Sequence, residues 1–222
     1  IVPIHDRQKR VIGFGGRSLD GSEPKYLNSP ETEIFEKGKN LFGLDKSTLS
    51  IRKKDYAIVV EGYFDVIALH DSGIDNVVAS LGTALSRNQI TILSRCTDSK
   101  KILLNFDTDN AGIRAANRAI NEVENLAIQG QIDLRVLQLP SGKDPDEFLR
   151  NNSPTEYEAL AAKSPLWMDW QINQSLKDLD LSKSDQFQNA VSALVNLLGK
   201  LPQTAIRTHY LQKVAQRLSG GQ

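Results

Sequence analysis

Cysteine and histidine are scarce in this chain of 222 residues, which carries 1 Cys and 3 His. A lone thiol, Cys96, excludes an internal disulfide and any cysteine-based zinc site within the chain. The histidines, His5, His70 and His209, lie far apart without the spacing of metal ligands, so we expect packing or surface roles for them. The sequence therefore predicts no zinc in this segment.

Long apolar runs are also absent. A run of roughly eighteen apolar residues, which a membrane span needs, occurs nowhere, and no basic and apolar leader opens the chain. We therefore expect a cytoplasmic protein without a membrane partner. The chain starts without Met inside the apolar run Ile1-Val-Pro-Ile4, and we expect it to be part of a longer protein.

Charge of neither sign is in excess, but the two signs are separated along the chain. The sequence has 27 basic and 27 acidic residues; residues 1–54 carry a net charge of +4, residues 55–152 carry −5, and residues 153–222 carry +1. A basic region beside an acidic one is typical of a phosphate-bearing polymer meeting a carboxylate cluster that binds metal. Ordinary scatter of surface charge is the alternative.

The middle of the chain alternates between strand and helix patterns. Short apolar runs predict four strands, at Tyr56–Val60, Asn76–Ser80, Lys101–Phe106 and Leu134–Leu139. Helical patterns follow the first three strands, at Phe64–Asp71, from Ser86 onward and at Ala111–Gln129. Right-handed crossovers between such units predict an α/β fold with a mainly parallel sheet and flanking helices.

The two ends of the chain have different patterns. Ile1–Asp6 and Val11–Leu19 predict a β-hairpin, followed by a polar stretch and a basic connector at Lys46–Lys54. Helices are predicted near 154–163, 165–177, 185–199 and 203–218. We therefore expect three parts, which are a small basic β-rich segment at 1–54, a catalytic sheet domain at 55–150 and a helical bundle at 151–222.

Acidic residues follow three of the predicted strands, in Glu61-Gly-Tyr-Phe-Asp65, Asp107-Thr-Asp109 and Asp144-Pro-Asp146. Ligands of α/β sheets bind beyond the carboxyl ends of the strands, so these side chains are expected to converge there. Like charges held close need a counter-charge, and a set of hard oxygen ligands points to Mg²⁺ or Mn²⁺. The alternative is that Asp144 and Asp146 cap the next helix and that Asp109 starts one.

Two motifs carry a resemblance to a known family. Glu61-Gly-Tyr-Phe-Asp65-Val-Ile with Asp107-Thr-Asp109 resembles the Toprim signature of bacterial primases, topoisomerases and certain nucleases. Gly15-Gly-Arg17 and Glu23-Pro-Lys25-Tyr-Leu-Asn28-Ser-Pro-Glu-Thr32, followed by Phe35-Glu-Lys37-Gly-Lys39, look like the basic motif of bacterial DNA primases of the DnaG type. Because both motifs occur in the order found in bacterial DNA primases, the resemblance narrows to that family. It implies a Toprim-type sheet.

The resemblance implies a role for each matching residue. The residues implied in catalysis are Glu61, Asp107 and Asp109, and the implied metal ligands are Glu61, Asp107, Asp109, Asp144 and Asp146. Asp65 resembles the supporting acidic residue of the family. The residues implied in binding nucleotide or nucleic acid are Arg17, Lys25, Tyr26, Asn28, Lys37, Gly82 and Thr83. Taken singly, Lys25 or Lys37 has the alternative of being an ordinary solvated side chain.

The implied function is synthesis of short RNA primers on a single-stranded DNA template from ribonucleoside triphosphates, by metal-dependent nucleotidyl transfer that releases pyrophosphate. A Cys/His zinc module before the core and a long helicase-docking bundle after it are missing from the sequence, so the contact with the replicative helicase is expected outside this chain. The alternatives are another Toprim enzyme, such as a topoisomerase or nuclease, and a binding module without turnover.

Overall fold

A computed structural model of the chain describes residues 1–19, 21, 23–82, 84–140 and 144–220. The chain forms two compact units, Ile1–Pro165 and Leu166–Gln222. Among the described residues, none of the helices combines the length and the apolar composition that crossing a membrane requires. The first unit contains two sheets, and the second consists of helices.

The first sheet is antiparallel and has the order β1-β2-β3, with β1 at Val2–His5, β2 at Val11–Arg17 and β3 at Tyr26–Asn28. The predicted hairpin is confirmed, with a register shift between Ile4 and His5. Strand β3 was not predicted, because three residues within a polar stretch are too few to show the alternation of a strand.

A small core lies beneath this first sheet and consists of Ile4, Phe35, Tyr63 and Leu81. The sheet can approach this core closely because β2 has glycine at the contact. A Cβ on Gly15 would lie 2.7 Å from the Tyr63 ring, well inside van der Waals contact. Tyr63 belongs to the first acidic motif, so Gly15 lets the basic sheet pack directly against the acidic region.

The second sheet has four parallel strands in the order β5-β4-β6-β7. Its strands are β4 Tyr56–Val60, β5 Val77–Ala79, β6 Lys101–Leu104 and β7 Asp133–Val136. Successive side chains of a strand point to opposite faces, and neighbouring residues such as Ile58 and Val59 are both fully buried. Both faces of the sheet are therefore covered, which confirms the predicted α/β fold with its parallel sheet.

The chain's own backbone bonds to the outer edges of this sheet. At β5, the Phe42 N–H donates to the Ala79 carbonyl at 2.9 Å, and the Ala79 N–H donates to the Phe42 carbonyl at 3.1 Å. At β7, the Val136 N–H donates to the Pro165 carbonyl at 3.1 Å. Each outer strand thus has a backbone partner on its exposed side.

Among the residues that the structure describes, six α-helices belong to the first unit. They are α1 Leu44–Lys54, α2 Tyr63–Asp71, α3 Arg87–Ser94, α4 Asn110–Ile128, α5 Pro145–Leu149 and α6 Pro154–Ala162. The predicted capping box at Ser86 is confirmed, because the Ser86 hydroxyl accepts from the Gln89 N–H and the Gln89 side chain accepts from the Ser86 N–H. A single 3₁₀ turn at Lys37–Lys39 precedes α1.

The second unit contains α7 at Trp167–Leu176, α8 at Ser184–Gly199 and α9 at Ala205–Leu218. Helix α8 contacts both α7 and α9, and the Lys213 ammonium donates to Asp169 at 2.7 Å. The predicted helical region is confirmed. The division at residues 54 and 150 stays a prediction; α6 lies in the first unit.

Candidate functional site

At the centre of the parallel sheet, between β4 and β6, the order in which strands are added to the sheet reverses. Strand β4 leads through α2 to β5 on one side, whereas β6 leads through α4 to β7 on the other. Adjacent strands whose connections diverge leave a crevice beyond their carboxyl ends. Glu61 directly follows β4, and the Asp107 N–H donates to Glu61 Oε1 at 3.1 Å. The structure thus brings together the first two acidic motifs.

A cleft of about 420 Å³ opens at this edge of the sheet. The predicted site residues that line it are Arg17, Lys25, Tyr26, Asn28, Glu61, Asp65, Gly82, Asp107, Asp144 and Asp146. Four further residues line it that the sequence analysis did not select, namely Gly62, Tyr63, Phe64 and Ser80. The cleft thus joins carboxylates of the parallel sheet to cations of the antiparallel one.

Helix N-termini hold three of the predicted carboxylates. Asp109 accepts from the Gly112 N–H at 2.7 Å at the start of α4, and Asp144 accepts from the Glu147 N–H at 2.7 Å at the start of α5. Asp65, in the first turn of α2, accepts from the Gly62 N–H at 3.1 Å. The partial positive charge of a helix N-terminus favours carboxylates there. The capping alternative is therefore correct for Asp109 and Asp144, but capping occupies one oxygen of each and leaves the other for a ligand.

The loop that carries Asp107 and Asp109 is fixed by a close backbone contact with α4. A Cβ on Gly112 would lie 2.0 Å from the Asp107 carbonyl oxygen and 2.6 Å from its carbon. These are backbone atoms and cannot rotate away as a side chain does. Only glycine fits at this position of the helix, and the contact sets where Asp107 leaves the strand.

Burial and mutual repulsion raise the pKa of three cleft carboxyls, those of Asp65, Glu61 and Asp107. Burial raises the pKa of Asp65 to about 7, and the charge of Asp144 is the next cause. Burial also raises the pKa of Glu61, against the hydrogen bond from the Asp107 N–H, while the charges of Asp107 and Asp109 raise it further. Burial, Asp144 and Asp109 raise the pKa of Asp107. The cleft therefore favours a bound cation, which would relieve the repulsion.

The chemistry of these donors fits a hard divalent cation, because every candidate ligand is a carboxylate oxygen. In the described part of the chain, no three His, Cys, Asp or Glu side chains lie close enough together to hold an ion. Asp146, for example, pairs with the Arg150 guanidinium at 2.6 Å. Binding an ion would therefore require side chains such as Asp146 to turn toward it.

The cations of the cleft come from the first sheet. Arg17 and Tyr26 are directly opposed on β2 and β3, and the Arg17 guanidinium lies 5.6 Å from the centre of the Tyr26 ring. The Lys25 ammonium lies 5.7 Å from the same ring. Asn28 donates to the Leu81 carbonyl at 2.9 Å, which ties β3 to the loop that leads to Gly82.

Two predicted site residues in the described part of the chain, Asp109 and Lys37, do not line the cleft. Asp109 is the exposed N-cap of α4 and lies outside the cleft lining. Lys37 does not line the cleft, because its turn is attached to α3 instead. The buried Gln89 side chain donates to the Lys37 carbonyl at 2.9 Å and to the Asn40 carbonyl at 2.6 Å. Thr83 lies outside the described residues. A role for Lys37 in nucleic-acid binding stays a prediction, at a surface apart from the carboxylates.

Comparison with known proteins agrees with this geometry along the chain. Residues 58–149 match a family described as Toprim-like, and residues 1–48 match the N-terminal domain of the DNA primase catalytic core. The DNA primase of Synechococcus elongatus is 64% identical over 222 residues, which cover 100% of this chain and 32% of that protein.

Solved structures decide the family. A DNA primase domain from Pseudomonas aeruginosa is similar with a TM-score of 0.81 and 37% identity, over 98% of this chain and 67% of that one. The chain belongs to the bacterial DNA primase family. A second family member, described as the DnaG primase catalytic domain bound to ssDNA, is similar with a TM-score of 0.79 and 36% identity, over 96% of this chain and 68% of that one.

The primase relatives extend beyond this chain, which spans about a third of the length of the curated primases it matches. Residues 168–222 match a family described as the DnaB-helicase binding domain of primase. We expected the helicase contact outside this chain, whereas the match lies within it, over α7 to α9. The helices α7 to α9 showed no motif by which sequence reasoning could have found it.

The primase motifs themselves contained three of the four residues that were missed, since Gly62 also lies between Glu61 and Asp65. Tyr63 and Phe64 lie inside the first acidic motif but were treated there as part of the pattern. Ser80 directly follows β5, at the same edge of the sheet as Glu61. Position after a strand was the signal that could have identified Ser80, since that signal had already identified the carboxylates.

Proposed function

We propose that this chain performs the polymerising step of a DNA primase, in which a ribonucleoside triphosphate extends an RNA primer on single-stranded DNA. One observation carries this proposal: half-buried carboxylates such as Glu61 and Asp107 and the exposed cations Arg17 and Lys25 line the same cleft. Nucleotidyl transfer needs both, because negative charge must be held near the reacting phosphorus and neutralised. The predicted division into basic (1–54), catalytic (55–150) and helical (151–222) parts is part of this proposal.

Divalent-metal dependence is general among Toprim primase cores, and we propose Mg²⁺ or Mn²⁺ here. The ligands would be Glu61, Asp107, Asp109, Asp144 and Asp146. Bound there, the ion would neutralise the charge that develops on the α-phosphate and on the departing pyrophosphate. The oxygen-only donor set and the raised pKa values of Glu61 and Asp107 support a cation at this place.

Glu61 is the candidate proton acceptor. In the transfer step the 3′-oxygen of the primer bonds to the α-phosphorus, the bond to pyrophosphate breaks, and the hydroxyl proton must leave. Burial raises the pKa of Glu61, which makes its carboxylate a better base than an exposed one. Oε1 of Glu61 accepts from the Asp107 N–H, so the hydrogen bond orients the group and leaves Oε2 to take the proton.

Arg17 and Lys25 are proposed to bind the triphosphate. Both side chains are exposed at the rim of the cleft, Arg17 on β2 and Lys25 directly before β3. A guanidinium can bind phosphate oxygens with two parallel hydrogen bonds, whereas an ammonium acts as a compact point charge. Tyr26, Asn28, Gly82 and Thr83 complete the proposed nucleotide and template surface.

Two partners follow from the relatives. Single-stranded DNA is the proposed template, supported by the similar DnaG catalytic domain that is described as bound to ssDNA. A replicative helicase is the second proposed partner, with α7 to α9 as the contact region, because residues 168–222 match the helicase-binding family.

The deciding experiment measures incorporation of labelled ribonucleotide on single-stranded DNA with Mg²⁺ or Mn²⁺, and cleavage of DNA in parallel. We expect incorporation that Asp107→Asn abolishes and that Asp71→Asn leaves intact, since Asp71 is exposed on α2 outside the cleft. Cleavage without incorporation would indicate a Toprim nuclease or topoisomerase. Metal binding with neither reaction would indicate a binding module.

Metal binding has its own test, which is thermal unfolding with and without Mn²⁺. A ligand that binds only the folded state stabilises it by about 1.4 kcal/mol at ten times its dissociation constant, which is roughly 3–6 °C for a chain of this size. Asp109→Asn should reduce that shift. An unchanged melting temperature for both proteins in millimolar Mn²⁺ would show that the metal assignment is wrong.

A further inference from the structure

Phe64 and Tyr26 both contact the guanidinium of Arg17. The guanidinium carbon lies 5.4 Å from the centre of the Phe64 ring and 5.6 Å from that of the Tyr26 ring. The two rings are 6.5 Å apart and tilted by 53°. The three groups thus form a triangle in which each contacts the other two, within the range of cation–π attraction.

This triangle joins the antiparallel sheet to helix α2, which follows the central strand β4 of the parallel sheet. Arg17 and Tyr26 are a directly opposed pair on β2 and β3, so neighbouring strands already place them together. Phe64 comes from a different element, the first turn of α2, between Glu61 and Asp65. Among the described residues of the acidic motif, Phe64 is the one whose aromatic ring contacts Arg17.

Packing against ring faces leaves the hydrogen-bonding edge of the guanidinium available. The N–H donors of arginine lie in the plane of the group, whereas aromatic rings attract its face. Within the described residues, no carboxylate oxygen lies within 4.0 Å of the Arg17 guanidinium. Arg17 lines the cleft with its donors free for an anion.

The rings of Phe64 and Tyr26 are both exposed, which favours a role in positioning the Arg17 side chain. Phe64 is 39% exposed and Tyr26 is 45% exposed, so neither ring is needed to fill the core. A long, exposed arginine loses much side-chain freedom when it binds a ligand, and a contact that orients it beforehand reduces that loss.

We propose that Phe64 is a positioning residue for Arg17, holding the guanidinium together with Tyr26 at the rim of the cleft so that it binds phosphate oxygens of the incoming nucleotide. This rests on the proposed function, because that function supplies the triphosphate. Phe64 itself contacts no part of the nucleotide in this proposal. Its removal should therefore weaken binding of any triphosphate, with or without a base.

The test measures affinity of the full 222-residue chain for ATP and for inorganic triphosphate, each with Mn²⁺, by calorimetry. Phe64→Leu should weaken both about three-fold, since an exposed cation–π contact corresponds to roughly two- to five-fold in affinity. Phe64→Tyr, which keeps a ring, should bind like the natural protein. In the Arg17→Ala background, Phe64→Leu should cause no further loss.

Ile67 supplies the matched control. It lies on the same helix, is 44% exposed and lines a different cavity together with Val2 and His70, so Ile67→Ala should leave both affinities unchanged. Phe64→Met, a second substitution without a ring, replaces Phe64→Leu in the comparison if the leucine variant melts at a lower temperature.

Three results would overturn the proposal. Weaker binding of ATP alone, with inorganic triphosphate unaffected, would show that Phe64 contacts the base. Unchanged affinities in Phe64→Leu and Phe64→Met, with a loss in Arg17→Ala, would refute positioning and leave the proposed function standing. Unchanged Mn²⁺-dependent ATP binding in both Arg17→Ala and Asp107→Asn would refute the proposed nucleotide site itself.

Discussion

The two sheets of the first unit contribute to one cleft in different ways. In the parallel sheet, Val59 and Leu104 are 0% exposed, whereas Phe14 and Leu27 of the antiparallel sheet are 52% and 65% exposed. The carboxylates of the parallel sheet are placed by buried strands and helix caps, which are backbone features. The cations of the antiparallel sheet are placed by side-chain contacts at the surface. Substitutions should therefore act mainly on stability in the first case and on binding in the second.

The largest effect is expected for Gly112→Ala, at the backbone contact behind the carboxylates. A methyl group there would meet the Asp107 carbonyl, and overpacking against atoms that cannot move costs about 3 kcal/mol or more. Urea unfolding measures the loss. Gly199→Ala on α8 is the control, because its Cβ would meet nothing within 4 Å. An unaltered free energy of unfolding in Gly112→Ala would show that the loop does not depend on this contact.

Tyr157→Phe removes a single hydroxyl oxygen and tests how much the buried region around the parallel sheet depends on one hydrogen bond. The Tyr157 hydroxyl donates to Asn105 Oδ1 at 2.6 Å, and both residues are buried. Removing the donor leaves a buried acceptor unsatisfied, which costs about 1–3 kcal/mol. The same change at the exposed Tyr26 should alter the free energy of unfolding by less than about 0.5 kcal/mol. Equal losses at the two positions would contradict the distinction between the sheets.

Asp65→Asn should make stability less sensitive to pH. Burial raises the pKa of Asp65 from 3.8 to about 7, so in that range the folded state keeps a proton that the unfolded state releases. Stability of the natural chain therefore falls as pH rises from about 4 to about 7. Asparagine carries no such charge, so the variant should gain stability over the natural chain between about pH 4 and about pH 8. The full pKa shift corresponds to roughly 4 kcal/mol, and solvent screening of the partly exposed carboxyl reduces the expected gain to about 2 kcal/mol.

Urea titrations in chelator at both pH values measure this difference. Asparagine can still accept from the Gly62 N–H, so the cap is kept. A gap between the two proteins that is constant with pH would mean that Asp65 does not titrate in this range, and a gap that narrows as pH rises would reverse the sign of the argument.

The smallest effect is expected at the cations. Lys25→Ala should weaken Mn²⁺-dependent binding of ATP about three- to five-fold, the size of one exposed charge contact, without a change in melting temperature. Lys37→Ala should leave ATP binding unaltered, because Lys37 does not line the cleft. Equal losses in the two variants would place Lys37 at the nucleotide after all.

The fold could be predicted where a local sequence pattern already indicates how a segment is buried. Strand β4 was predicted with its observed bounds, Tyr56–Val60, because a continuous apolar run reports burial on both faces. Helix α5 was predicted only as an alternative, as the helix that Asp144 and Asp146 would cap. It has five residues, too few to show a helical periodicity in the sequence. The Asp144 cap and the buried Phe148 define it, so the helix depends on tertiary contacts more than on a local sequence pattern.

The site was predictable in its carboxylates and less so in its surroundings. Glu61 and Asp107 follow strands, and the rule for parallel sheets places strand ends together whatever the rest of the chain does. The contact of Phe64 on α2 with Arg17 on β2 joins elements far apart in the sequence, and no local pattern indicates it. Lys37 lies apart from the cleft because Gln89, 52 residues later in the sequence, binds the turn that carries it. A short sequence motif cannot indicate a contact between residues that far apart.

The bridge between Phe42 and Ala79 has a consequence for how the protein behaves at high concentration. An outer strand with free N–H and C=O groups is a template on which another chain can add a strand, the first step of aggregation. Phe42 occupies that position on β5, and Pro165 bonds to β7 at the opposite edge. Growth of the sheet from one molecule to the next is thus blocked at these two contacts. Because the bridge is made by backbone atoms, Phe42 can change its side chain without opening the edge, whereas Phe42→Pro would remove the donor and leave β5 available to a neighbour.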